Sequence, residues 1–99
     1  MEYISPFKSG FTIYSKSGCM LCSKVKTLLD DHTLVCTVVD CDEYILEDKQ
    51  SFLLFIKNIT GCEIKGFPIV FDNGAYIGNY SDAKEHIDKL TSFDNNLSF

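Results

Sequence analysis

Phe11-Thr12-Ile13-Tyr14-Ser15-Lys16-Ser17-Gly18-Cys19-Met20-Leu21-Cys22 decides the architecture of this chain. Its first five residues are β-branched, aromatic or small and stop at Lys16-Ser17-Gly18, which predicts a strand running into a loop. From Met20 to about Asp31, Leu21, Val25, Leu28 and Leu29 fall at i, i+4, i+7 and i+8, one face of a helix, with Lys24 and Lys26 outside it. Cys19 therefore stands where a helix begins, and Cys22 one turn inside it. Leu34-Val35-Cys36-Thr37-Val38-Val39 is a nearly continuous apolar run of strand length, which predicts a parallel strand covered on both faces. Strand, helix and strand make one βαβ unit.

Further along, a helical stretch is expected from about Glu43 to Ile59, with Phe52, Phe55, Ile56 and Ile59 on one face and Thr60-Gly61 as its stop. Pro68-Ile69-Val70-Phe71 and Ala75-Tyr76-Ile77-Gly78 flank Asp72-Asn73-Gly74, whose Asn-Gly pair suits the positive φ angles of a tight hairpin turn. Ser81-Asp82 offers an N-cap and an acidic first turn ahead of Ala83, Ile87 and Leu90, so a closing helix is expected there. The tail from about Thr91 to Phe99 has weak periodicity and is expected to fray. The order is β-α-β-α-β-β-α. Right-handed crossover would set about three helices on the two faces of a four-stranded mixed sheet, one domain over residues 1–99 with its core at about 10–90.

Composition excludes several function classes. The chain has 99 residues, 45% of them hydrophobic, enough for one core and too few for two domains. With 14 acidic against 9 basic residues the formal net charge is -5, which repels phosphate backbones and anionic lipid, so neither nucleic acid nor membrane is expected as a partner. No run approaches membrane-spanning length, and the N-terminus lacks the basic start and apolar run of a secretory signal. Five cysteines cannot all pair within one chain, which fits a reducing, cytoplasmic compartment.

Disulfide exchange needs a thiolate that attacks and a second thiol near enough to resolve the mixed disulfide. Cys19 and Cys22 supply both. A thiolate at a helix N-terminus faces unpaired N–H groups and the positive end of the dipole, which lowers its pKa. Cys22, deeper in the helix, is expected to be more buried and to keep its proton until Cys19 is in a mixed disulfide. The same spacing also serves zinc knuckles, but Cys36, Cys41 and Cys62 are single and His32 and His86 lie at no familiar ligand spacing, so no metal is expected. A purely structural pair is the other alternative. Pro68 opens a strand after Gly66-Phe67; a trans bond is the commoner case for X–Pro, while a cis bond would turn the Phe67 backbone outward toward a peptide-like thiol substrate.

Over about Gly10 to Leu90 the chain resembles the glutaredoxins, small proteins of the thioredoxin-like fold. Three segments carry the resemblance: Phe11 to Cys22 as first strand, lysine and dithiol; Phe67-Pro68 as the cis-proline segment; and Ile77-Gly78-Asn79-Tyr80-Ser81-Asp82 as the glutathione-binding turn. It implies a glutathione-dependent thiol–disulfide oxidoreductase that reduces protein disulfides or glutathione mixed disulfides. Cys19 and Cys22 would be catalytic. Glutathione, as reducing co-substrate, would set its glycyl carboxylate near Lys16, its cysteinyl backbone against Phe67 beside Pro68, and its γ-glutamyl end at Ser81 and Asp82. Four departures stand out: Met20-Leu21 replaces Pro-Tyr, Gly66 replaces Thr, Gly61-Cys62-Glu63-Ile64-Lys65-Gly66 is a longer connection, and Asn79 stands at a usual Gly.

Partners expected from the resemblance are glutathione and disulfide-containing client proteins, met by a monomer. Two alternatives stay open: a redoxin recharged by thioredoxin reductase, and a module in which Cys19 of two subunits and two glutathiones hold a 2Fe–2S cluster. Cys36 and Cys41 read as packed thiols. Cys62, in the connection leading to Phe67-Pro68, is a candidate for oxidation or glutathionylation.

Overall fold

The computed structural model describes residues 2–91. Its elements are β1 (Phe11–Ser15), α1 (Met20–Asp31), β2 (Cys36–Asp40), α2 (Asp42–Thr60), β3 (Ile69–Asp72), β4 (Ala75–Gly78) and α3 (Tyr80–Thr91). One four-stranded sheet runs β2-β1-β3-β4, with β1 parallel to β2 and antiparallel to β3, and β3 antiparallel to β4. This is the thioredoxin-like mixed sheet with three helices. The expected tail beyond Thr91 lies outside the described residues.

Period-two alternation in the central strands builds two cores. Phe11 and Ile13 of β1 with Val70 of β3 face Val25 and Leu29 of α1 and Ala83 and Ile87 of α3. Tyr14 of β1 with Ile69 and Phe71 of β3 face Phe52 and Ile56 of α2, so that helix covers the opposite side. Every residue of β1 is buried, as its central position requires. The buried phenol of Tyr14 donates to the Ile4 carbonyl at 2.5 Å, so its one polar atom is satisfied. The segment before β1 packs on the α2 side, where the Tyr3 ring stacks on Phe55 with centroids 4.8 Å apart.

Three expectations are corrected. The second strand begins at Cys36, not Leu34, and it is a sheet edge: Val35 is 72% and Val38 43% exposed. An apolar run tells strand from loop but not centre from edge. The single helix expected after it is broken at Asp48 (φ -161, ψ 87), whose carboxylate accepts from the Ser51 N–H at 3.1 Å and so starts the second half as a cap. The closing helix begins at Tyr80, and its N-cap is Asn79, not Ser81. Asn79 Oδ1 accepts from the Asp82 N–H at 3.1 Å, while Asp82 Oδ2 accepts from the Asn79 N–H at 3.2 Å, a reciprocal capping box. The hairpin turn is as expected, with φ 52 at Asn73 and 86 at Gly74.

Candidate active site

Lys16-Ser17-Gly18 carries the chain from the end of the central strand to the start of α1, and Cys19 is that helix's N-cap. Its backbone is extended (φ -95, ψ 106), and its Sγ accepts from the Cys22 N–H at 3.1 Å. That bond satisfies one of the N–H groups a helix start leaves without an intrahelical partner, and it is strongest when the sulfur is an anion. Cys19 and Cys22 are joined as a disulfide with Cα atoms 5.2 Å apart, so the pair can close without moving the helix. Cys22 is 1% exposed whereas Cys19 is half-buried, so the first sulfur is the more accessible of the two. Met20 at 71% and Leu21 at 43% exposure put an apolar rim around the dithiol.

Asp42, at the start of α2 just past the end of the neighbouring strand β2, steadies this loop. Its carboxylate accepts from the Ser17 N–H at 2.9 Å and from the Ser17 hydroxyl. Those two bonds, the hydroxyl's the stronger, hold the Asp42 carboxyl below the usual carboxylate range, with Lys16 adding to the effect. The tether therefore persists through neutral pH and is lost only as pH falls through that lowered pKa. Nothing in the local sequence pointed to Asp42, because its partner lies 25 residues away.

Phe67–Pro68 is a cis peptide, and Pro68 is fully buried at the head of β3. Two clefts meet at Phe67. One, of about 390 Å³, is lined by Leu21, Cys62, Phe67, Pro68, Ser81 and Asp82 among others. The other, of about 400 Å³, is lined by Lys16, Lys49, Lys65 and Phe67 with aliphatic and aromatic neighbours, and Lys16 Nζ stands 6.0 Å from the Phe67 ring centroid. The structure thus brings Phe67, Pro68, Ser81 and Asp82 into one cleft and places Lys16 in the next, with the run from Ile64 to Phe67, Lys65 included, as the shared wall. Tyr76 and Lys49, which sequence reasoning did not single out, complete the two linings. Among the described residues no group of three His, Cys, Asp or Glu side chains is placed to hold a metal ion.

The other thiols differ in accessibility. Cys41 is buried, its Sγ 3.5 Å from the Val39 carbonyl, and burial pushes its pKa up to about 12. Cys36 is half-buried and also raised by burial. Cys62 is exposed. At pH 8 a thiol of pKa near 12 is ionised on the order of one part in ten thousand. Brief iodoacetamide treatment of the reduced, folded protein should therefore label Cys19 and Cys62 and leave Cys41 untouched, as read by peptide mass spectrometry. Early labelling of Cys41 would show that this core opens readily.

A model of the glutaredoxin family matches residues 11–77. Among solved structures, glutaredoxin 1 from Francisella tularensis, complexed with cacodylate, aligns with a TM-score of 0.69 and 21% identity over 81% of this chain and 93% of that one, a likeness of fold. A dithiolic glutaredoxin from Trypanosoma brucei brucei aligns with a TM-score of 0.63 and 28% identity over 89% of this chain and 86% of that one. A buckwheat glutaredoxin in complex with glutathione gives a TM-score of 0.65 and 26% identity over 83% of this chain and 73% of that one. No curated protein sequence matches the chain.

Proposed function

The chain belongs to the glutaredoxin family of thiol–disulfide oxidoreductases, and from that premise we propose that it is glutathione-dependent, with Cys19 the attacking and Cys22 the resolving residue. The observation that carries the reading is the placement of Cys19 Sγ on the Cys22 N–H at a helix start, at the head of a βαβ unit beside the Phe67-Pro68 cleft. The Cys19 thiolate attacks the glutathione sulfur of a mixed disulfide. A Cys19–glutathione disulfide forms, and the client leaves as a thiolate. A second glutathione thiolate then attacks the bound glutathione sulfur, releasing glutathione disulfide and restoring Cys19. With a client disulfide, Cys22 instead attacks the Cys19 sulfur of the mixed disulfide. The client leaves reduced, and the Cys19–Cys22 disulfide waits for glutathione.

In this reading glutathione lies across the shared Phe67 wall. Its glycyl carboxylate points toward Lys16, and its γ-glutamyl end sits at the first turn of α3, whose N–H groups and dipole favour a carboxylate. Ser81 lies in that turn, and Asp82 offers a carboxylate to the ligand's ammonium. Asp82 also serves the capping box, so its two roles need separating. Asp82→Asn keeps an acceptor for the Asn79 N–H and removes the charge. It should raise the KM for glutathione by about five- to tenfold with little change in thermal midpoint, whereas equal KM values would leave Asp82 a cap only.

The decisive experiment supplies reducing equivalents from glutathione plus its reductase or from thioredoxin reductase, with a glutathione mixed disulfide as substrate. Glutathione is expected to sustain the faster turnover; faster turnover from thioredoxin reductase would overturn the assignment of donor. A reducing compartment such as the cytoplasm is part of the proposal, supported by three thiols that remain outside the disulfide, and so is a monomeric state.

A further inference from the structure

We propose that the lysine-lined cleft beside the dithiol selects client polypeptides carrying acidic residues just C-terminal to the cysteine that Cys19 attacks. The inference rests on the glutathione orientation proposed above, which runs the C-terminal end of a bound thiol peptide toward Lys16. A tripeptide ends at its glycine. A polypeptide held the same way continues past Lys16 into the cleft where Lys49 and Lys65 stand.

The charge of that cleft is anomalous for this molecule. The chain carries a formal net charge of -5 and only nine basic residues, yet three of the nine line this one depression and no Asp or Glu does. Elsewhere Lys57 pairs with Glu63, Lys84 with Asp88 and Lys89 with Glu85, while among the described residues Lys8, Lys24 and Lys26 do not gather with another lysine in a depression free of acids. Lys49 and Lys65 have no carboxylate within 4.0 Å among the described residues, and Lys16 has only the nearby charge of Asp42, whose oxygens are engaged by Ser17. One glycyl carboxylate answers one of three cations. The remaining two favour a segment with further negative charge, and the apolar floor formed by Phe52, Leu53 and Ile69 lowers the effective dielectric around them.

The attack step can be isolated with Cys22→Ser protein and symmetric peptide disulfides. The Cys19 thiolate displaces one peptide as a thiolate and forms a single Cys19–peptide disulfide, so nothing else is oxidised or reduced. Two peptides of identical composition and charge are compared, Gly-Cys-Gly-Glu-Glu and Glu-Glu-Gly-Cys-Gly, each rate being divided by that with 2-mercaptoethanol. Identical composition cancels the general repulsion by an acidic protein. The peptide with glutamates after cysteine is expected to react about five times faster at low salt, and the ratio should shrink toward one in 0.5 M NaCl and in Lys49→Gln/Lys65→Gln protein.

Equal rates, the reverse preference, or a preference that survives the double substitution would overturn the proposal. Unchanged reaction of the double variant with hydroxyethyl disulfide verifies that its fold and Cys19 are intact. Glutathione disulfide, run alongside, tests the underlying reading by itself. If it reacts no faster than hydroxyethyl disulfide, glutathione recognition fails whatever the ranking of the two peptides.

Discussion

Cys19→Ser is expected to lose essentially all thiol–disulfide exchange, a fall of at least about a thousandfold in kcat/KM, while Cys22→Ser keeps much of its turnover on glutathione mixed disulfides. The difference follows from where the two sulfurs sit. At the N-cap of α1, Cys19 has its Sγ on the Cys22 N–H at 3.1 Å, so negative charge on that sulfur is stabilised before any substrate arrives. A serine hydroxyl there would accept the same bond but would remain protonated and lacks sulfur's capacity to exchange. In the proposed mechanism Cys22, 1% exposed, attacks only after its neighbour has been captured. A second glutathione can replace it from solution, though not with the advantage of an intramolecular nucleophile. Reduction of a protein disulfide by Cys22→Ser should accordingly stall as a trapped mixed disulfide visible on a non-reducing gel. Equal activity of Cys19→Ser and wild type would end the mechanism.

The features legible in the sequence were those fixed by short-range chemistry. The run from Phe11 to Ser15, the helix over Met20–Asp31 and the turn at Asn73-Gly74 each follow from spacing and residue type within a few positions, and the structure places them as read. Features that depend on distant neighbours were not legible. Whether Leu34 to Val39 made a central or an edge strand depended on what lay beyond it, and nothing in those six residues says that β2 has a partner on one side only. Asp48 and Asn79 are both side chains that capture a backbone N–H three residues on. At the closing helix Ser81-Asp82 offered an equally plausible cap, and only the reciprocal pairing of Asn79 with Asp82 decides between them. The cationic cleft is further out of reach, since Lys16, Lys49 and Lys65 come from three separate segments.

Gly78→Ala is expected to destabilise the protein by about 3 kcal/mol and to weaken glutathione binding at the same time. Gly78 closes β4 opposite Val70, beside a shift in strand register, with φ at +138, a region that residues with a Cβ rarely occupy. Space compounds the cost, because a Cβ added there would lie 2.7 Å from the Asp82 Cβ. Relief requires Asp82 to move, and that movement breaks the capping box that starts α3 and withdraws the carboxylate assigned to the γ-glutamyl end. Asn79→Ala separates the two effects: it removes one half of the box, costs about 1 kcal/mol, and leaves Asp82 free to keep its place in the cleft. The glutathione KM should therefore rise in Gly78→Ala far more than in Asn79→Ala, measured beside the urea midpoint of each. A Gly78→Ala protein as stable as wild type would mean that the strand-to-helix turn tolerates a side chain, and that the position of Asp82 is not set by the glycine before it.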